Sequence, residues 1–234
     1  MSSELRFEGG SVSAVLTLKT SARAKVMRLR VDPRTGAVIL TVPRRVSQRR
    51  ALQWAAGHRD WIEKTLSAIP APLALAHGSE IPLGGVPHAI DWRPDRSRIA
   101  RVEDGRILIG GPEETLVPRM QRWLRRQALD VLTRETHEYA AKAGVTVSRV
   151  GVGDTVSRWG SCSSAGTIRY SWRLILAPDW VRRATVAHEV AHRVHMDHSP
   201  RFHALVEQLF GADPTPARLW LRRNGAALHR IARA

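Results

Sequence analysis

Apolar and polar residues alternate over 25–31, which puts Met27, Leu29 and Val31 on one face of an extended segment; the apolar run 38–42 follows. Asp32, Pro33, Arg34, Thr35 and Gly36 between them are turn formers, so the two segments read as a β-hairpin. The period then changes. Behind Ser47, which suits an N-cap, Ala51, Trp54, Ala55, His58, Trp61, Ile62 and Leu66 recur at helical spacing. On that stripe His58 reads as a packed histidine, and the two tryptophans read as core rather than as a binding platform. Residues 70–111 are rich in Pro and Gly, with short β-like pieces at 89–92 and 106–109. Gly111, Pro112, Glu113 and Glu114 then open a long helix. Leu116, Met120, Trp123, Leu124, Val131 and Tyr139 support it, and Gly144 closes it as a C-cap.

Further on, two β-type runs within 155–176 flank a Ser/Ala/Gly turn and read as a second hairpin. Pro178 and Asp179 start another helix. Phe202, Leu205, Val206 and Leu209 share one face of the next, and a final helix runs from Thr215. The order of elements predicts an α+β fold. The composition shift near Gly111 sets the expected boundary between a β-rich subdomain with one helix at 1–110 and an α+β domain at 111–234.

The helix expected after Asp179 carries the chain's most informative residues: His188, Glu189, Val190, Ala191 and His192, an HExxH motif, with His198 six positions further on. On a helix, positions four apart share a face, so the imidazoles of His188 and His192 can aim at one metal ion. Zinc–histidine bonds are about 2.0–2.1 Å long. Glu189 is rotated about a quarter turn from His188, beside the metal, where a carboxylate can hold and deprotonate water. Were the helix to run on, His198 would lie about 9 Å further along the axis than His192 and on another face. The chain must therefore reverse between them. Asp197 suits a turn, and Ser199 followed by Pro200 reads as the N-cap and first residue of a new helix. Glu207 is a lesser candidate ligand, and His195 and His203 are not needed by the spacing.

Composition sharpens this picture in three places. The 234 residues contain no apolar run long enough to span a membrane, and the N-terminus lacks the basic-then-apolar pattern of a signal peptide. The single cysteine, Cys162, excludes an internal disulfide and fits a reducing, cytoplasmic compartment. The formal charge of +16 would attract polyanions, so a nucleic acid or nucleotide joins peptides among the partners to consider. The positive residues are almost all arginines and are scattered, which suits a solvated surface equally well.

Arg158 to Ser164 (RWGSCSS), Trp172 to Pro178 (WRLILAP), His188 to His192 (HEVAH) and His198 to Phe202 (HSPRF) closely resemble the YgjP-like metallopeptidase family, often described as M48-type. Weaker likenesses lie in the early Arg-Val-Asp-Pro hairpin, in residues 59–62 and in residues 220–225. The resemblance implies a zincin-like domain with zinc held by His188, His192 and His198 and with Glu189 catalytic. Ser171 stands where the family commonly has Asn before Trp-Arg-Leu. The motif is also similar to SprT- and WLM-type proteases, which act on proteins attached to DNA. Metzincins share its spacing, but His195 replaces their glycine.

The expectation is thus a zinc-dependent metallopeptidase that cleaves peptide bonds through water held at the metal and activated by Glu189. Arg158, Arg169 and Tyr170 are the candidates for stabilising the developing oxyanion, and the 155–176 hairpin is the candidate edge for an extended substrate. The alternatives are a metal-dependent nucleotide pyrophosphatase, disfavoured by the lack of a Gly-rich phosphate loop, a DNA-associated protease, and a nucleic-acid-binding protein whose metal site is vestigial.

Overall fold

Turn chemistry at Asp32 and Gly36 closes the first hairpin: the Gly36 amide donates to the Asp32 carbonyl at 2.8 Å, and Gly36 takes a positive φ of 70°. The structure, a computed structural model, describes residues 2–9, 12–32, 35–69 and 71–232; Pro33 and Arg34 of the expected turn lie outside the described residues. Strands β1 (Ser2–Gly9), β2 (Val12–Ser21), β3 (Arg28–Val31) and β4 (Val38–Pro43) form one sheet in the order β1-β2-β4-β3. As the alternation predicts, β3 runs antiparallel to β4, with Val31 opposite Val38. The apolar face of the sheet, with Leu16, Leu18, Val38 and Leu40, meets Ala51, Ala55 and Ile62.

Those last residues lie on two helices, α1 (Gln48–Ala56) and α2 (Arg59–Ser67), where the stripe predicted one. Ser47 caps α1 by accepting from the Arg50 amide. The helix breaks at Gly57, and the rotation this introduces leaves Trp61 45% exposed while Ile62 is buried. Trp61 is therefore not a core residue. His58 lies tilted against Trp54 with ring centroids 4.0 Å apart and its Nδ1 2.8 Å from the Trp54 carbonyl, but it is exposed rather than packed into the core.

Two compact units make up the chain, Met1–Ala71 and Pro72–Ala234. This division falls well before the composition shift at 110/111. The second sheet explains why: β5 (Glu80–Leu83), β6 (Val86–Arg93), β7 (Arg101–Glu103) and β8 (Arg106–Gly110), in the order β5-β6-β8-β7, put Ile81, Ile90, Ile107 and Ile109 into the same buried cluster as the C-terminal helices. Composition registers strand against helix; it does not register which of them share a core.

The long helix α3 (Leu116–Ala143) ends where expected, with Gly144 left-handed at φ 65°. Behind it come β9 (Arg149–Gly153), β10 (Gly160–Cys162) and β11 (Thr167–Ser171). β10 and β11 form the expected antiparallel hairpin and β9 joins parallel to β11, so β10 is an edge. The second β-type run stops at Ser171; Trp172–Leu176 is a buried 3-10 helix. Packing overrides strand propensity here. Arg173 is 1% exposed, and its guanidinium donates to Asp154 at 2.9 Å and to the carbonyls of Leu228 and Ile231 at 2.6 and 2.7 Å, ties that a straight strand would not reach. The Oγ of Ser171 is buried and accepts or donates no hydrogen bond among the described residues.

Three helices complete the unit: α4 (Asp179–Ala191), α5 (Pro200–Phe210) and α6 (Thr215–Arg230). The start of α4 is fixed from outside. The Gly84 and Gly85 amides donate to the carbonyls of Ile175 and Leu176, and Gly85, at φ 79°, lies against Pro178 where a Cβ would come within 2.7 Å of the ring. A two-glycine turn thus seats the β5–β6 hairpin on the start of α4, the helix that runs on to His188 and His192. No helix among the described residues is long and apolar enough to cross a membrane.

Candidate metal centre

His188 and Glu189 occupy the last turn of α4, and His192 is its C-cap residue. The chain reverses after His192, and Ser199 caps α5 by accepting from the Phe202 amide, with Pro200 in the first turn. Asp197 helps to shape the turn by accepting from the Ser199 amide at 3.2 Å. The reversal carries His198 back to α4: its Nε2 lies 3.4 Å from that of His188. The donor atoms of His188, His192 and His198 all lie within 4.8 Å of one another, with no carboxylate in the group. Glu207, on the exposed side of α5, stands outside it.

Phe202 sets this convergence, a role that its place in the apolar stripe of α5 does not announce. Its ring is fully buried and touches all three imidazoles, with centroids 4.9 Å from His188, 4.4 Å from His192 and 4.9 Å from His198. An apolar platform under three polar rings removes other partners and leaves their outward nitrogens to meet. The backbone of His195 supplies the second constraint. Its carbonyl lies 3.1 Å from the Nδ1 of His192, which selects the tautomer carrying its proton on Nδ1 and leaves the Nε2 lone pair free. The His195 side chain takes no part. Burial, and then the neighbouring imidazoles, push His188 down to about 4. Burial also holds His192 below the ordinary imidazole range. Both are neutral at physiological pH and able to donate to a cation.

This donor set fits a divalent transition metal. Imidazole suits zinc, copper, iron and nickel, and three protein ligands leave coordination open for chemistry. The 3.4 Å between the two Nε2 atoms matches the roughly 3.3 Å that separates two nitrogens bound at about 2.05 Å around a tetrahedral centre.

Glu189 lies beside the cluster, 5% exposed. Burial raises its carboxyl to about 7, against the opposing pull of Arg158. Its carboxylate rests on the backbone of β10 at Gly160, where a Cβ would overlap it. Gly160, in a segment that reads as ordinary hairpin, is thus required by the close approach of a side chain from α4. Next to Glu189 and His188 opens a cavity of about 260 Å³. Trp159, Val206, Ala217 and Leu221 supply apolar wall, and the exposed Arg158 and Arg218 stand at it with His203. Gly225 of α6 lets Trp159 lie close, since a Cβ there would come 2.8 Å from the indole, and His229 stacks on the same indole at 5.0 Å. Arg218 and the whole α6 wall carry no sequence signal, because nothing local marks a helix face that meets α4.

The three oxyanion candidates are separated by position. Tyr170 is 1% exposed and its hydroxyl lies 3.0 Å from the Thr136 hydroxyl, in the core. Arg169 is exposed on β11 and does not line the cavity. Arg158 does. Trp172 is buried under the Arg173 guanidinium, 4.4 Å away, and packs rather than binds. Cys162 on β10 is half-buried, and burial pushes its thiol up. The thiol, rather than the reactive thiolate, is present at neutral pH. Titration of the folded protein with a disulfide reagent at pH 7.5 is expected to modify Cys162 more slowly than a free cysteine; a faster reaction would point to an activated thiolate.

A model of the YgjP-like metallopeptidase domain matches residues 25–224. No curated protein and no solved structure matches the chain significantly.

Proposed function

Since the chain belongs to the YgjP-like metallopeptidase family, we propose that it is a zinc-dependent peptidase in which His188, His192 and His198 hold the ion and Glu189 is the general base. The observation that carries this reading is one juxtaposition: a buried carboxylate, with no competing metal-ligand role, set beside three imidazoles whose donor atoms lie within 4.8 Å. When bound, zinc supplies Lewis acidity, which polarises water and the scissile carbonyl.

The remaining chemistry belongs to the chain. Glu189 takes the proton of the attacking water at a carboxylate oxygen and returns it to the departing amine nitrogen. A pKa near 7 suits both transfers, since the group neither holds nor refuses the proton strongly. Arg158 lies on the cavity wall with Glu189 and is the cation best placed to face charge that develops on the carbonyl oxygen. The free edge of β10 offers backbone groups to an extended peptide, the strand addition expected of the 155–176 hairpin. The apolar cavity wall suits a side chain next to the scissile bond. We assign the protein to the cytoplasm on its single cysteine.

Metal analysis tests the ligand set. The purified protein should carry about one zinc ion per chain. His198→Ala should lower its zinc affinity by at least about 100-fold, beyond the 10–100-fold typical of losing an outer partner to a ligand. Elemental analysis after dialysis, with competition against a chromogenic chelator, reads both. Undiminished zinc in His198→Ala would remove His198 from the site.

A further inference from the structure

Away from the metal centre, the face of α3 near its N-terminus carries a second cavity, of about 480 Å³, that shares no residue with the first. Four arginines line it. Arg119, Arg122 and Arg126 recur along α3 at spacings of three and four with Trp123, and Arg98 comes from the loop that leads into β7 beside Ile99. Among the described residues none of the four pairs with a carboxylate. Glu113 and Glu114 are close in the chain but do not line the cavity.

A solvated basic helix face would explain Arg122 and Arg126, which are exposed. It does not explain Arg119, which is 9% exposed. Two of its nitrogens are used: Nε donates to the Thr115 carbonyl at 3.2 Å and Nη2 to the Pro112 carbonyl at 2.7 Å. Its Nη1 is buried and has no hydrogen-bond partner. The guanidinium packs over Gly111, where a Cβ would overlap Nη1 and would come 2.8 Å from the Arg98 side chain. A glycine at φ 87° thus lets the buried Arg119 guanidinium lie against the backbone beside the aliphatic stem of the exposed Arg98, and no carboxylate among the described residues pairs with either arginine. An anion in the cavity would supply the counter-charge that this buried guanidinium lacks.

The surroundings identify the anion's chemistry. Guanidinium forks match phosphate oxygens, and several around one cavity match a phosphate rather than a single carboxylate. The cavity is larger than a phosphate and has apolar walls: the half-buried Trp123 and Ile99, which is 75% exposed. Bases stack on such side chains while their phosphates meet cations. We propose that this cavity is a nucleotide-binding site, with phosphate held by Arg98, Arg119, Arg122 and Arg126 and the base against Trp123. The ligand is a nucleotidyl phosphate, either free or as one unit of a single strand. The site is independent of the peptidase reading, so a Glu189→Gln protein should bind as the wild type does.

Isothermal titration with AMP, ATP, pyrophosphate, a ten-residue oligothymidylate and hexaglutamate, at two salt concentrations, tests this. The double variant Arg122→Glu/Arg126→Glu changes two exposed positions and should weaken ATP and the oligonucleotide at least 10-fold. Arg222→Glu/Arg223→Glu alters net charge equally on the exposed side of α6 and should leave both within 2-fold. Trp123→Leu should weaken ATP but not pyrophosphate. An oligonucleotide far tighter than AMP assigns the site to a strand, and equal affinities assign it to the free nucleotide. The proposal is overturned if neither nucleotides nor oligonucleotide bind, if hexaglutamate binds as tightly, or if the two double variants lose affinity alike.

Discussion

Glu189→Gln is expected to keep its zinc and its fold and to lose about 10²–10⁴-fold in the rate of peptide hydrolysis, the contribution typical of a positioned general base. The substitution preserves shape, so the amide should still fit against Gly160, where there is no room for a change of path. It removes the one property the reaction needs, the ability to accept a proton. It leaves untouched the three imidazoles, since their convergence is set by Phe202 and by the His195 carbonyl rather than by Glu189. The measurement is the single-turnover rate on a denatured-protein substrate, with metal content read on the same sample. A metal-loaded variant that cleaves at the wild-type rate would take the base away from Glu189 and with it the mechanism. A variant that has lost its metal would instead show Glu189 to be structural.

What was legible in the sequence was local. The HExxH spacing, the Ser199-Pro200 start of α5 and the Gly144 cap each rest on interactions within a few residues, and each appears where expected. The reversal that returns His198 to the cluster could also be read, because a continuous helix cannot satisfy it. Features that depend on distant segments were not legible. Phe202 belongs to the same apolar stripe as Val206 and Leu209, yet only it lies under the imidazoles. The wall formed by α6, the Gly160 cradle and the membership of β5–β8 in the C-terminal core all come from segments far apart in sequence. The Trp-Arg-Leu run looked like strand because its residues favour strands. It is a 3-10 turn because Arg173 binds carbonyls more than fifty positions away.

The anchoring of α4 leads to the largest expected effect on stability. Arg182 is 5% exposed on that helix, and Glu135 is 3% exposed on α3. They meet through Nε and Nη2 at 2.8–3.2 Å in a two-pronged pair, and Arg182 also donates to Asp179 at 2.8 Å. Arg182→Met keeps the apolar stem and deletes the charge, which strands a buried carboxylate; Arg183, 3.7 Å from the same oxygen, is too far to replace a hydrogen bond. Removing one partner of a buried pair typically costs about 3–5 kcal/mol. For a unit of this size that is a fall in Tm of roughly 10 °C. Denaturation should be followed in excess chelator, because bound metal stabilises the native state by mass action and would mask part of the loss. The double variant Glu135→Leu/Arg182→Met should regain most of the stability, since both charges leave together. Arg182 lies two turns before Glu189 on the same face of α4, so the single variant should also weaken zinc binding, while the double variant restores it. A single variant within about 1 kcal/mol of wild type would mean that Glu135 is neutralised by another route and that α4 is held by apolar packing alone.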